Sequence, residues 1–181
     1  MILNILAVAL AGASFSQDPP AFEFREVTSA LTQQAATSAG LVYRNRGALE
    51  FCRRSQVADH PITQCPATEA LTAAGVAGQR IQGLNLGFDA DGLALFMMTV
   101  EGVSVPAVSS AFTAKFGPPC QEETRVWANA MGAELANPVV SWCLSDGRLE
   151  LHAVSASDYR LGQAIFVPTR LQAPVAPAVD F

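Results

Sequence analysis

One lysine, Lys115, stands against ten arginines and sixteen acidic residues in this 181-residue chain, for a formal charge of −5. A chain so poor in cations has no basic face of the size that nucleic-acid binding needs, and its acidic balance favours solubility. Long apolar runs are also missing. A bilayer-spanning helix needs about 20 consecutive apolar residues, and no segment reaches that length, so no transmembrane segment is expected in the mature chain. The four cysteines contain no C-x-x-C pair, which removes the usual zinc and thiol-exchange spacings, and free thiols in denatured, unreduced protein would argue against disulfides. No serine sits in a G-x-S-x-G elbow and no glycine-rich loop could cradle phosphate. Half of the residues are hydrophobic, enough for one domain with a real core or two small repeats sharing one.

The N-terminus carries the first positive signal. Residues 2–13 form a short apolar run ending in small residues, with Ala11 and Ala13 placed as the small pair before a cleavage site. Residues 1–16 are therefore read as a signal peptide, with cleavage after Ala13 or Ser16, although a positive n-region is missing. A buried N-terminal helix is the competing reading, and Asp18-Pro19-Pro20 interrupts it where a mature chain would start. Leu10-Ala11-Gly12 resembles the approach to a lipoprotein cleavage site, but Ala13 stands where the lipid-bearing cysteine belongs. The expectation is a released periplasmic or secreted protein.

Four cysteines, at 52, 65, 120 and 143, permit three pairings. A Cys52–Cys65 pair across a hairpin puts the turn at Ala58-Asp59, beside His60-Pro61. A Cys120–Cys143 pair puts it between Met131 and Gly132, within a segment of loop composition. Both pairs read as hairpin disulfides.

Along the chain, residues 17–26 stay open between a strand, from the alternation of Phe22 and Phe24, and a helix start at Asp18-Pro19. Val27, Ala30, Leu31, Ala35 and Ala39 recur at helical spacing before Gly40 and predict a helix. Short strand-like pieces lie within 41–54, and the stretch from Pro66 to Gly78 has no dependable period. Leu84, Leu86 and Phe88 alternate up to an Asp91-Gly92 turn, after which Leu93 to Val100 is apolar on both faces, as in a central strand. Ser104 and Pro106 open a second helix with the stripe Val105, Val108, Phe112 and Phe116, closed at Gly117-Pro118-Pro119. Strands are then expected at 122–128, around Val140, Trp142 and Leu144, and after a second Asp-Gly turn at Asp146-Gly147, with Gln163–Val167 as an edge strand. Pro168–Phe181 reads as a Pro/Ala-rich tail.

These elements predict an α+β fold: an antiparallel sheet with two packed helices in a single domain at 17–167. A helix, a cysteine pair and an Asp-Gly hairpin in each half suggest two degenerate helix-plus-sheet repeats, at 17–101 and 102–167, against independent use of a common hairpin plan.

Candidate chemistry is sparse. Asp89-Ala90-Asp91-Gly92 resembles the start of a calcium loop, yet lacks its third acid and closing glutamate, so a hairpin turn explains it better. Met97 and Met98 point to opposite faces of a strand and cannot share a copper ion. His60 sits in a turn and His152 on the polar face of a strand, where both are expected to be solvated. No catalytic residue, metal ligand or cofactor is assigned. Arg44, Arg46, Arg53 and Arg54 form the one local basic cluster: a candidate contact for an anion or acidic partner, or else solvated strand edges that discourage aggregation.

The helix ending at Gly117, the Cys120/Cys143 pair, Trp142 and the Asp146-Gly147 turn together resemble the plan of small secreted bacterial α+β proteins. The beta-lactamase inhibitor protein family has tandem helix-plus-sheet repeats with a disulfide each, and the outer-membrane assembly lipoproteins related to SmpA/OmlA are similar in plan. The resemblance covers element order over most of residues 27–154 and transfers no partner-contact residue. It implies a non-enzymatic binding or accessory module whose sheet face meets a protein partner. The alternative is a small envelope hydrolase or metal-dependent enzyme using His152 with Asp146 or Glu150. A deep pocket gathering those groups would favour the enzyme; an open sheet would favour the binding module.

Overall fold

The computed structural model describes residues 18–43, 51–128, 134–155 and 158–172. The leader at 1–16, Arg44 and Arg46, the loop at Met131-Gly132 and the tail from 173 onward lie outside the described residues. Ten strands and three α-helices follow in the order β1 (Glu23–Phe24), β2 (Val27–Thr28), α1 (Gln33–Ser38), β3 (Arg53–Val57), β4 (His60–Pro66), α2 (Glu69–Thr72), β5 (Ile81–Asp89), β6 (Gly92–Glu101), α3 (Val105–Phe116), β7 (Gln121–Ala128), β8 (Glu134–Leu144), β9 (Gly147–His152) and β10 (Leu161–Pro168). Strands β3 to β10 make one eight-stranded sheet in the order β3-β4-β5-β6-β10-β9-β8-β7, with every neighbouring pair antiparallel.

Local chemistry explains the hairpins. Ala58 and Asp59 both have positive φ, 46° and 69°, the conformation of a two-residue turn whose twist matches its flanking strands, and they join β3 to β4 in the register Val57 opposite His60. The side chain of Asp89 accepts a hydrogen bond of 2.9 Å from the Asp91 N–H and fixes the β5–β6 turn. At the β8–β9 turn a Cβ on Gly147 would lie 2.3 Å from the ring of Phe166, so only glycine lets that ring seat. The structure joins Cys52 to Cys65 and Cys120 to Cys143, with Cα separations of 4.1 and 5.8 Å; each pair ties the residue just before a strand to the next strand in the sheet.

One face of the sheet carries the main core. Leu84, Leu86, Phe88, Phe96, Met98, Trp142, Leu149, Leu151 and Phe166 point from it toward the helices and are buried. Helix α3 contributes Val108, Phe112 and Phe116, and Val105 packs at the margin. The Phe112 ring meets Trp142 edge-on at 5.5 Å, and the Trp142 indole donates to the Gly117 carbonyl at 3.2 Å, so the end of α3 is tied to β8. Phe22 stacks on Phe166 at 4.0 Å and meets Phe96 edge-on, while its N–H donates to the Asp146 carboxylate at 2.7 Å. A single segment before β1 thus plugs the core.

Several expectations need correction. Of the two packed helices, only α3 is substantial: α1 has six residues and α2 four. Val27 does not begin a helix but sits in β2, opposite Phe24, after a turn through Arg25 at φ 56°. The helix starts at Thr32, whose hydroxyl accepts from the Ala35 N–H at 3.2 Å, and it buries Ala36 while Ala35 and Ala39 are exposed. The Val27–Ala39 spacing is helical by coincidence. Ser104 precedes α3, but its hydroxyl donates to Gln79 rather than capping. Strand β10 is interior, bonded to β6 on one side and β9 on the other; the edges are β3 and β7. Residues Thr169–Leu171 form a 3₁₀ turn with Leu171 buried against Ile62 and Ala94, so this part of the expected tail is packed structure. No helix among the described residues is long and apolar enough to cross a membrane.

Candidate functional site

Among the described residues the second face of the sheet carries no α-helix, only the 3₁₀ turn Thr169–Leu171, whose Leu171 packs near Val57, Leu95 and Val167. Because side chains alternate, the cross-strand rows Gln121, Ser141, Glu150, Ile165, Met97 and Glu123, Val139, His152, Gln163, Thr99 both project from it. Toward β10 and β6 the row residues are half-buried and largely apolar, including Leu95, Met97, Ile165 and Val167. Toward β7, β8 and β9 they form a polar network centred on Glu150.

Side chains from β7, β8 and β9 build that network. Arg125, on β7, donates to both carboxylate oxygens of Glu150 at 3.0 Å and to Glu123 at 2.6 Å. Arg148 lies with Nε 3.2 Å from Glu150 without making a hydrogen bond there, and donates through Nη2 to Ser141 at 3.1 Å and to Gln121. His152 Nε2 is 3.1 Å from Glu150 Oε2, and its Nδ1 is 3.4 Å from the Asn137 amide nitrogen. An ionised carboxylate only accepts, so the ring presents Nε2–H to Glu150 and leaves Nδ1 to accept from Asn137. The Asn137 carbonyl in turn accepts from the Val154 N–H at 2.9 Å, which fixes the amide's orientation.

Burial follows from this layering. Asn137, Ser141 and Val139 are at most 1% exposed and His152 6%, although they face away from the helices. The long side chains of Arg125, Arg148 and Glu123 and the ring of Trp127, 6.3 Å from that of His152, are positioned to cover them. The expectation of a solvated His152 is thus overturned, whereas His60 is exposed, at the first position of β4 rather than in the turn. The hydrogen bond from His152, aided by Arg125, pulls the Glu150 carboxyl down to about 2 against the opposing effect of burial. The Arg125 guanidinium is raised, chiefly by its bond to Glu150.

Chemically this is a closed set. Glu150 is a carboxylate at any ordinary pH and a weak base, and both ring nitrogens of His152 are engaged. Asp146 and His152 stand at opposite ends of β9, separated by roughly 20 Å of strand, so they do not form a pair. No group of three or more His, Cys, Asp or Glu side chains suited to a metal ion occurs among the described residues. Arg148 and Glu150 line one wall of an open cavity of about 330 Å³ that Val57, Ala58, Ile165, Val167 and Leu171 complete. Val57 and Ala58 belong to the far side of the sheet, five strand spacings from β9, about 24 Å if flat. Their meeting in one cavity means that the sheet curls toward its open face.

Of the basic cluster, Arg53 and Arg54 are exposed neighbours on edge strand β3 and point to opposite faces, so the structure does not gather these two. Sequence reasoning named Glu150 and His152 but missed Arg125, Glu123 and Asn137. A signal was present for Asn137: it shares a phase with Val139 and Ser141, opposite to Trp142, in a strand long enough to be covered on both faces. Compared with known proteins, the chain matches no family model, no curated protein and no solved structure.

Proposed function

We propose that this protein is a non-enzymatic binding or accessory module, periplasmic or secreted, whose open, curled sheet face meets a protein partner. One observation carries the reading: among the described residues the eight-stranded sheet has α-helices on one face only, and the other combines half-buried Leu95, Met97, Ile165 and Val167, partly covered by the 3₁₀ turn at Leu171, with a neutralised, internally bonded polar network. Such a surface costs little to desolvate at its apolar half and offers fixed polar groups at its rim. The disulfides and the leader-like residues 1–16 support an oxidising compartment outside the cytoplasm.

The resemblance to beta-lactamase inhibitor protein and to SmpA/OmlA-related lipoproteins, and the reading of the chain as two degenerate repeats, belong to this proposal. Their support is the order α1, four strands, α3, four strands, in which the four-residue α2 interrupts the first set between β4 and β5 and has no counterpart in the second, with one disulfide cysteine just before the first strand of each set and the other in the second. The Asp-Gly turns do not match, since one joins the third and fourth strands of its set and the other the second and third. The enzyme alternative has the 3.1 Å His152–Glu150 contact in its favour, but that contact uses the nitrogen a substrate would need.

Crosslinking in envelope extracts, with wild type beside a Met97→Lys/Ile165→Lys variant, tests the binding reading. A partner held by wild type and lost by the variant is expected; equal recovery by both would remove the open face from the interaction. A hydrolytic activity abolished by His152→Gln would establish the alternative.

A further inference from the structure

Strand β7 ends the sheet, and its eight residues, Gln121–Ala128, pair with β8 in an unbroken register without proline or bulge. Among the described residues nothing hydrogen-bonds to the outer backbone edge of this strand. Such edges are ordinarily blunted by charged side chains, proline, bulges or brevity, and of these β7 has only the charges Glu122, Glu123 and Arg125, which are of both signs. The opposite edge, β3, is short, with five residues, and follows directly on the disulfide at Cys52.

The backbone phase of this edge can be read from proline. Pro138 lies opposite Thr124 and has no N–H, and its carbonyl accepts from Ala153 on the β9 side at 2.9 Å. Ser141, an odd position of β8, turns its carbonyl to the other side, where it accepts from the Cys120 N–H. In an antiparallel strand the N–H and C=O of one residue point the same way and successive residues alternate. Odd residues of β7 therefore bond to β8, and Glu122, Thr124 and Val126 direct both backbone groups outward.

We propose that β7 is a self-association edge: two copies of this chain pair β7 with β7 antiparallel about a two-fold axis at Thr124, joining their sheets into one. Two-fold pairing allows several registers, and charge selects among them. Centred on Glu123 the strands oppose glutamate to glutamate, and centred on Arg125 they oppose arginine to arginine, both destabilising. Centred on Thr124, each Glu123 faces the other copy's Arg125 on the open face, in the non-hydrogen-bonded position where side chains come closest. Thr124 exchanges both backbone bonds with its counterpart, and Glu122 does so with Val126, a valine that is 59% exposed in the single chain. Arg125 and Glu123 retain 39% and 34% side-chain exposure alongside their bonds within the chain, which leaves them room to meet a second copy.

Sedimentation equilibrium of the chain with both disulfides intact, from about 1 µM to 1 mM, tests this independently of any partner on the open face. Concentration-dependent dimerisation is expected, and a monomeric mass throughout would overturn the proposal. Thr124→Pro removes an N–H that bonds to nothing among the described residues, so its own ladder to β8 stays intact and association should weaken at least tenfold. Glu123→Arg places arginine opposite arginine without touching the backbone and should weaken it similarly, which keeps the test valid if the proline variant folds poorly. A dimer that survives Glu123→Arg unchanged would place the contact elsewhere and sink the proposal.

Discussion

Glu150 concentrates the electrostatics of the open face on one carboxylate. Its folded value of about 2 lies below the ordinary 4.5, so its contribution to stability is fully present above about pH 4.5 and is lost as the pH falls toward 2. With its side chain 20% exposed and Arg125 more so, the contribution is about 2 kcal/mol after solvent screening. Denaturant titrations at pH 7 and pH 2.5 should show wild type losing that much more stability than Glu150→Gln between the two. Equal losses would show that the network does not hold the charge. Asn137 makes a second prediction at this scale. Replacing it by alanine strips the half-buried Val154 N–H and the buried His152 Nδ1 of partners at once and should cost about 1–3 kcal/mol by equilibrium unfolding, whereas an exposed polar residue such as Thr124 changed to serine should cost almost nothing.

At the scale of elements, α3 and the two disulfides organise what the short helices cannot. Helix α3 places Phe112 and Phe116 against the sheet, while α1 buries Ala36 alone. The disulfides close loops with separations of 13 and 23 residues, worth about 3 kcal/mol each on the chain-entropy account. Their accessibility differs: Cys120 and Cys143 are both exposed, whereas Cys65 is fully buried. Limiting dithiothreitol on the native protein should therefore open Cys120–Cys143 first, with mass-spectrometric mapping of alkylated cysteines as the readout. Preferential labelling of Cys52 and Cys65 would contradict the burial.

For the whole molecule, the sheet order implies a gradient of stability. Strands β6 and β10 form the centre and join the two sets of four strands, so their amides should exchange slowest with deuterium, while β3 and, at dilutions where the chain is monomeric, the outward amides of Glu122, Thr124 and Val126 should exchange fastest. Fast exchange in β10 would contradict its interior position. That position was not legible in the amino-acid sequence, because Gln163–Val167 is short and its second neighbour, β6, lies about sixty residues earlier. The alternation of Leu84, Leu86 and Phe88, the stripe of α3 and the Asp-Gly turns were legible, since each depends on residues close in the chain. The same local logic misread Val27–Ala39, where spacing that suits a helix was overruled by the burial of Val27 beside Phe24 in a strand pair. By itself the sequence determined the period of the long elements, the places of the turns and the polar phase that carries Glu150 and His152. Tertiary structure alone decided that β10 enters the middle of the sheet, that Arg125 and Asn137 close around His152, and that the described α-helices all lie on one face. Those outcomes depend on which distant strands pair, and pairing is settled by the burial of the whole sheet against α3 and Phe22 rather than by any residue's immediate neighbours.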